Sequence, residues 1–157
     1  MENRVRRATE KDIPALMELL VQVDMVHHEG RPDLFNGPTT KYTEEELKEL
    51  LLKDETPVFV CVDEKDHVLG HGFCVLEHNG GRLMAEHTTL YIDDICVDEK
   101  ARGKNIGRTI YEYIVDYAKG IGCYNVTLNV WNCNPGAMKF YERLGMTPYK
   151  VGMEKLL

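Results

Sequence analysis

Arg102-Gly103-Lys104-Asn105-Ile106-Gly107 sets a basic turn between an apolar run (Ile92, Ile95, Val97) and an amphipathic helical pattern. Free N–H groups at a helix start point outward and the helix dipole favours negative charge there, so a strand, tight basic turn and helix is an arrangement that holds a phosphate. Arg102, Lys104 and Arg108 stand together with no acid among them, in a chain of net charge -7. Residues Arg102, Gly103, Lys104, Asn105, Ile106, Gly107, Arg108 and Thr109 are the expected anion contacts. Just upstream, Asp93 and Asp94 are adjacent in the apolar run. Alternation along a strand should turn one carboxylate toward a cleft and the other away. Glu86, earlier in the same run, is the rival carboxylate for proton removal.

Three phosphate motifs were compared with the turn. A P-loop needs a Gly five residues before its Gly-Lys and a Ser or Thr after it. Here Asp98 and Asn105 occupy those places. The dinucleotide pattern G-x-G-x-x-G is absent. Arg/Gln-x-x-Gly-x-Gly/Ala fits Arg102 to Gly107 except at Asn105, where a residue tolerant of positive φ replaces Gly. A second segment runs Asn134-Pro135-Gly136-Ala137-Met138-Lys139-Phe140-Tyr141-Glu142-Arg143-Leu144-Gly145-Met146. With these two segments the chain resembles the GNAT superfamily of acetyl-CoA-dependent N-acetyltransferases, most clearly over residues 91–146.

The resemblance implies acetyl-CoA as co-substrate, its pyrophosphate on the Arg102 turn and its pantetheine arm along the backbone of Ile95, Cys96 and Val97. It assigns Tyr141 as the acid that protonates the leaving thiolate and Asn134 as a coenzyme contact. Tyr141 could otherwise be a core aromatic, and Asn134 only a helix N-cap. The Leu90 to Asp94 run is similar to that of diamine acetyltransferases in the family, where an acid at the Asp93 position binds the acceptor or takes its proton. Cys96 as a covalent acyl carrier is the lesser alternative, because direct transfer needs no such step.

The elements that must position these groups follow from periodicity and breakers. Arg4 to Ala8 reads as an edge strand, and a helix capped by Thr9 or Asp12 runs to about Val23. Residues 24–42 read as a long irregular loop carrying His27, His28 and Glu29, candidates for acceptor binding. Thr43-Glu44-Glu45-Glu46 opens a second helix with a capping box. Pro57–Asp63 and Val68–Glu77 form a hairpin, with Gly70 and Gly72 marking a bulge or a close backbone approach. Glu86–Val97 is the next strand, followed by the helix after Gly107. A strand through Val126, Leu128 and Val130, a helix capped by Asn134-Pro135, and a last strand from about Tyr149 to Leu156 complete the chain. His67-x-x-x-His71 spans a turn and a strand and reads as incidental. Trp131 and Tyr124 read as packing at the strand end. The expected fold is α/β (α+β): a mixed, mostly antiparallel central sheet with helices on both faces, GNAT-like, in a single domain over residues 1–157.

Composition narrows the function classes. The 43% hydrophobic and 29% charged fractions are those of an ordinary globular domain. The acidic balance excludes an extended basic face, so no nucleic acid is expected as partner. There is no run of about 18 apolar residues, so no membrane partner is expected. The odd set of five cysteines has no C-x-x-C pair, and with no secretory pattern at the N-terminus it reads as reduced thiols in a cytoplasmic protein. His27-His28 lacks supporting ligands, so no metal is expected. The expected activity is acetyl transfer to a small-molecule or protein amine, with a homodimer as the family expectation. The alternatives are a non-catalytic acyl-CoA-binding regulatory module and, more distantly, a nucleotide-binding protein.

Overall fold

The computed structural model describes residues 2–157. In chain order they form β1 (Arg4–Arg7), a 3-10 turn (Glu10–Asp12), α1 (Ile13–Gly30), α2 (Glu44–Leu51), β2 (Val58–Val62), β3 (Val68–Asn79) and β4 (His87–Val97). A second 3-10 turn (Glu99–Ala101), α3 (Ile106–Gly120), β5 (Asn125–Leu128) and α4 (Pro135–Arg143) follow. The sheet order is β1-β2-β3-β4-β5, antiparallel except for the β4–β5 pair. The parallel pair follows from the α3 crossover, because parallel neighbours cannot be joined by a short turn.

β2 is buried along its whole length, so it reads as an unbroken apolar run. Its side chains serve two cores. Val58, Val60 and Val62 join Phe73 under Ile13, Leu16 and Leu20 of α1 and Leu47 of α2. Phe59 and Cys61 join Cys74, Leu90 and Ile92 under Ile106, Ile110, Ile114 and Ala118 of α3. Gly70 and Gly72 let α3 close on the sheet. A Cβ at Gly70 would lie 2.8 Å from the Cys96 carbonyl oxygen, and one at Gly72 would lie 2.8 Å from Ile114 Cδ1. The close approach expected of this pair is what the structure contains.

Two sequence expectations are corrected. The helix expected to stop near Val23 runs on to Gly30, so His27, His28 and Glu29 are helical rather than in a loop. The stop comes at Arg31, just before Pro32, because a residue preceding proline disfavours the helical conformation. The last strand expected over Tyr149–Leu156 does not form: the chain after Leu144 has no regular structure, and Tyr149, Val151 and Met153 are exposed. Alternating apolar residues supply a strand face, but a strand forms only by pairing, and β5 remains the sheet edge.

Candidate active site

β4 and β5 are hydrogen-bonded only from Thr89–Asn125 to Ile92–Leu128. Beyond Ile92, β4 continues to Val97 without that neighbour, so the backbone of residues 93–97 faces a gap on its β5 side. The gap is a cleft of about 190 Å³. Asp93, Asp94, Ile95, Cys96 and Val97 form one wall, and Leu128 to Trp131 the other. Val23, Val26 and His27 of α1 close one side; Asn134, Ala137 and Tyr141 close the other, with Arg102 at the turn. The expected pantetheine strand, Arg102, Asn134 and Tyr141 are thus brought together.

The register between β3 and β4 breaks here. Phe73 pairs with Asp94 and Cys74 with Ile92, leaving Asp93 as an extra, bulged residue on β4. A bulge flips the alternation that follows it. Asp93 and Asp94 therefore both line the cleft, correcting the expectation that one would point away. The Asp93 side chain is 16% exposed, and Lys41 Nζ, from the loop before α2, donates to its Oδ2 at 2.5 Å. Burial would lower the Lys41 pKa, but the Asp93 carboxylate outweighs it and holds the ammonium charged. Asp94 Oδ2 lies 2.5 Å from His71 Nε2, on a ring that is fully buried.

At the basic turn, Gly103 has φ +82° and Asn105 sits in the left-handed region at φ 59° and ψ 24°. The asparagine adopts the backbone shape that glycine would supply, so the turn forms. Asn105 makes no side-chain cap on α3, whereas Thr43 caps α2 and Asn134 caps α4. The first N–H groups of α3 are left open for an anion. Thr109 Oγ1 donates to the Asn105 carbonyl at 2.9 Å, and Arg108 is turned along the helix to Glu112 at 2.8 Å. The free cations of the turn are therefore Arg102 and Lys104. A Cβ on Gly107 would meet the Phe140 ring at 3.2 Å, so the second residue of α3 seats α4 and with it Tyr141. Asn105→Gly is expected to raise stability by about 0.5–1 kcal/mol by relieving the left-handed strain, and Asn105→Val to lower it by about 1–2 kcal/mol. Thermal melts of the two variants check both signs.

Tyr141 packs against Phe140 and Tyr111, with ring centroids 5.1 Å and 6.3 Å away. Burial, and then the neighbouring Asp94 charge, push its phenol well above the ordinary range, so it carries its proton at neutral pH. Burial likewise pushes the Cys96 thiol up to about 12, with Asp94 adding to it; the thiol donates to the Leu19 carbonyl. A protonated thiol is a poor nucleophile, which argues against the covalent alternative.

Other expected residues part from the site. Glu86 lies just before β4, in a separate hollow with His78 and His87. Seven residue steps separate it from Asp93, about 23 Å at the rise of a strand. It is too far away to serve as the base. His28 is tied by Nδ1 to the Phe35 carbonyl at 2.6 Å, and Glu29 is exposed; of the three α1 residues only His27 lines the cleft. His27 packs on Phe35, and Phe35 on the edge of Trp131, which the sequence suggested only as packing. His71, read as incidental, proves to be the partner of Asp94. Among the described residues no helix is long and apolar enough to cross a membrane, and no group of three His, Cys, Asp or Glu is placed to hold a metal.

Comparison with known proteins gives the family and the fold. The model of the acetyltransferase (GNAT) family matches residues 23–146. The chain is 33% identical over 104 residues to glucosamine 6-phosphate N-acetyltransferase of Arabidopsis thaliana, covering 57% of this chain and 65% of that protein. It is 29% identical over 147 residues to an uncharacterized N-acetyltransferase of Methanocaldococcus jannaschii, covering 94% of this chain and 62% of that one. The matches therefore span less than two thirds of the length of these curated relatives. Among solved structures, a mutant BH1408 protein from Bacillus halodurans superimposes with TM-score 0.92 at 32% identity, covering 98% of this chain and 99% of that one. Crystalline glucosamine-6-phosphate N-acetyltransferase from Arabidopsis thaliana gives TM-score 0.72 at 25% identity, covering 99% of both chains.

Proposed function

Because this chain belongs to the GNAT acetyltransferase family, we propose that it moves an acetyl group from acetyl-CoA to a primary amine by direct transfer in a ternary complex. The observation that carries this reading is the convergence, on one cleft, of an unpaired β4 edge, Arg102 from the turn that leads into the uncapped α3, and the buried Tyr141 phenol. In this reading the α3 turn holds the pyrophosphate, and the pantetheine arm adds to the free edge of β4 as an extra strand would. A β4 backbone N–H meets the tetrahedral oxyanion, and Tyr141 gives its proton to the departing thiolate. Asn134 caps α4 with its Oδ1, accepting from Ala137 N at 3.2 Å, and its amide NH2 remains the group that would contact the coenzyme.

The acceptor end is acidic. Asp93 and Asp94 favour an ammonium group, so the acceptor is a small cationic amine or a protein amine. Lys41 already occupies Asp93 in the way such an ammonium would. The five unpaired cysteines support a reducing compartment, and we place the protein in the cytoplasm. The C-terminal residues Tyr149, Val151 and Met153 alternate and are exposed, and β5 is a sheet edge four residues long. A second copy of the chain would cover these exposed apolar residues, so a homodimer is expected by sedimentation. A monomer at micromolar concentration contradicts it.

The test of the activity is thiol release from acetyl-CoA over a panel of alkyl, amino-sugar and peptide amines. Turnover on at least one acceptor is expected, and calorimetry should show acetyl-CoA bound in preference to ATP. A non-catalytic acyl-CoA-binding module would bind acetyl-CoA and release no thiol with any amine.

A further inference from the structure

The geometry points to a division of labour between the two carboxylates. Asp94 is the catalytic base that takes the acceptor proton, and His71, beneath it on β3, is its positioning residue. This deepens the transferase reading above and rests on it.

The bulge at Asp93 brings both acids to the cleft, but their surroundings differ. Asp93 is answered by a full positive charge, Lys41 Nζ at 2.5 Å. A carboxylate oxygen held this way is already engaged by a cation and marks a docking point for one. The only hydrogen bond to the Asp94 carboxylate among the described residues comes from His71 Nε2, to Oδ2. Its Oδ1 carries no such bond, and the residue faces the cleft that Tyr141 also lines.

The protonation state of His71 follows from its other nitrogen. Nδ1 is buried and has no partner, and the Phe73 ring stands edge-on to the imidazole at 4.8 Å. An imidazolium would place an N–H at Nδ1 with nothing to receive it. The neutral tautomer with hydrogen on Nε2 leaves only a bare lone pair there, the lesser loss. His71 is therefore a neutral donor. It orients Asp94 without cancelling its charge, as a carboxylate orients imidazole in hydrolytic triads, with the roles exchanged.

The step balances. Asp94 takes one proton from the acceptor ammonium, freeing the lone pair that forms the C–N bond to the thioester carbon. When the C–S bond breaks, its electron pair leaves on sulfur, and the thiolate receives a proton from Tyr141. The tetrahedral nitrogen loses its second proton, which reprotonates Tyr141 through solvent. One proton is released to water per acetamide formed, by way of Asp94.

Four variants and one spectrum test this. Asp94→Asn should lower kcat for alkylamines by about 10²–10³-fold with acetyl-CoA affinity unchanged. Asp93→Asn should chiefly raise KM for the acceptor. His71→Gln, whose amide can still donate to Asp94, should retain kcat within about tenfold, while His71→Leu should fall well below it at unchanged KM. Long-range 15N spectra at neutral pH should show His71 with its hydrogen on Nε2. Full kcat in Asp94→Asn, equal losses in both His71 variants, or an imidazolium in the spectrum each overturns the assignment. Wild-type protein that turns over no amine sinks the transferase reading and the dyad with it. Wild-type turnover that survives in Asp94→Asn sinks the dyad alone.

Discussion

Tyr141→Phe should lower kcat by about 10²–10³-fold and leave the affinity for acetyl-CoA unchanged within about twofold. The substitution removes one oxygen. Phe keeps the ring that packs against Phe140 and Tyr111, so α4 stays where Gly107 and Phe140 seat it. What is lost is the proton for the thiolate. Burial and the Asp94 charge hold the wild-type phenol protonated, so no pH in the neutral range mimics the mutation. Steady-state rates and calorimetry on the same preparation check both halves. A loss of binding in proportion to the loss of rate would mean that Tyr141 is packing and no acid.

Asp12→Ala should destabilise the fold by about 3 kcal/mol, a fall of roughly 6–12 °C in Tm for a chain of this size. Asp12 is buried at the start of α1, yet it does not cap the helix. It accepts both Arg6 terminal nitrogens, at 2.7 Å and 2.9 Å, and the Thr9 backbone N–H at 2.8 Å. Removing it takes two hydrogen bonds from a half-buried guanidinium, which keeps Asp66 as its remaining carboxylate partner, and strands the Thr9 backbone donor. Its pKa records the same balance: burial pushes it up, but the Arg6 and Thr9 hydrogen bonds prevail and hold it below the ordinary carboxylate range. Asp66, bound by Lys11 and Arg6, is pulled down to about 2. Both folded-state values are depressed, so the stabilisation is fully present above the unfolded carboxylate range near 4 and is lost as pH falls toward 2. Urea midpoints measured from pH 5 to pH 2 should fall in the wild type, and more gently in Asp12→Ala.

The parts of this site that could be read in the chain are those set by local chemistry. The turn from Arg102 to Gly107 declares itself because glycine, asparagine and basic residues have few reasons to cluster except geometry and charge. Its left-handed Asn105 follows from the residue type. The α2 capping box was legible for the same reason. The bulge at Asp93 was not, because it is set by how β3 and β4 pair, and alternation alone predicted opposite faces for the two acids. That one inserted residue decides which carboxylates reach the cleft. His71 was hidden likewise. It is 23 residues from Asp94, and only the β3–β4 pairing joins them. α1 outran its pattern because Asp24 to Gly30 mixes polar and apolar residues while Pro32 alone stops it. The expected C-terminal strand failed in the opposite sense, having a strand pattern but leaving the β5 edge unpaired.

The central claim is direct acetyl transfer from acetyl-CoA to an amine in this cleft, and a single-turnover experiment with excess enzyme tests it most directly. Quenched samples analysed by mass spectrometry should show free thiol and N-acetylated acceptor rising together in equal amounts, with the protein mass unchanged throughout. Acetylated protein appearing before product, or thiol release with no acetylated acceptor, would contradict it.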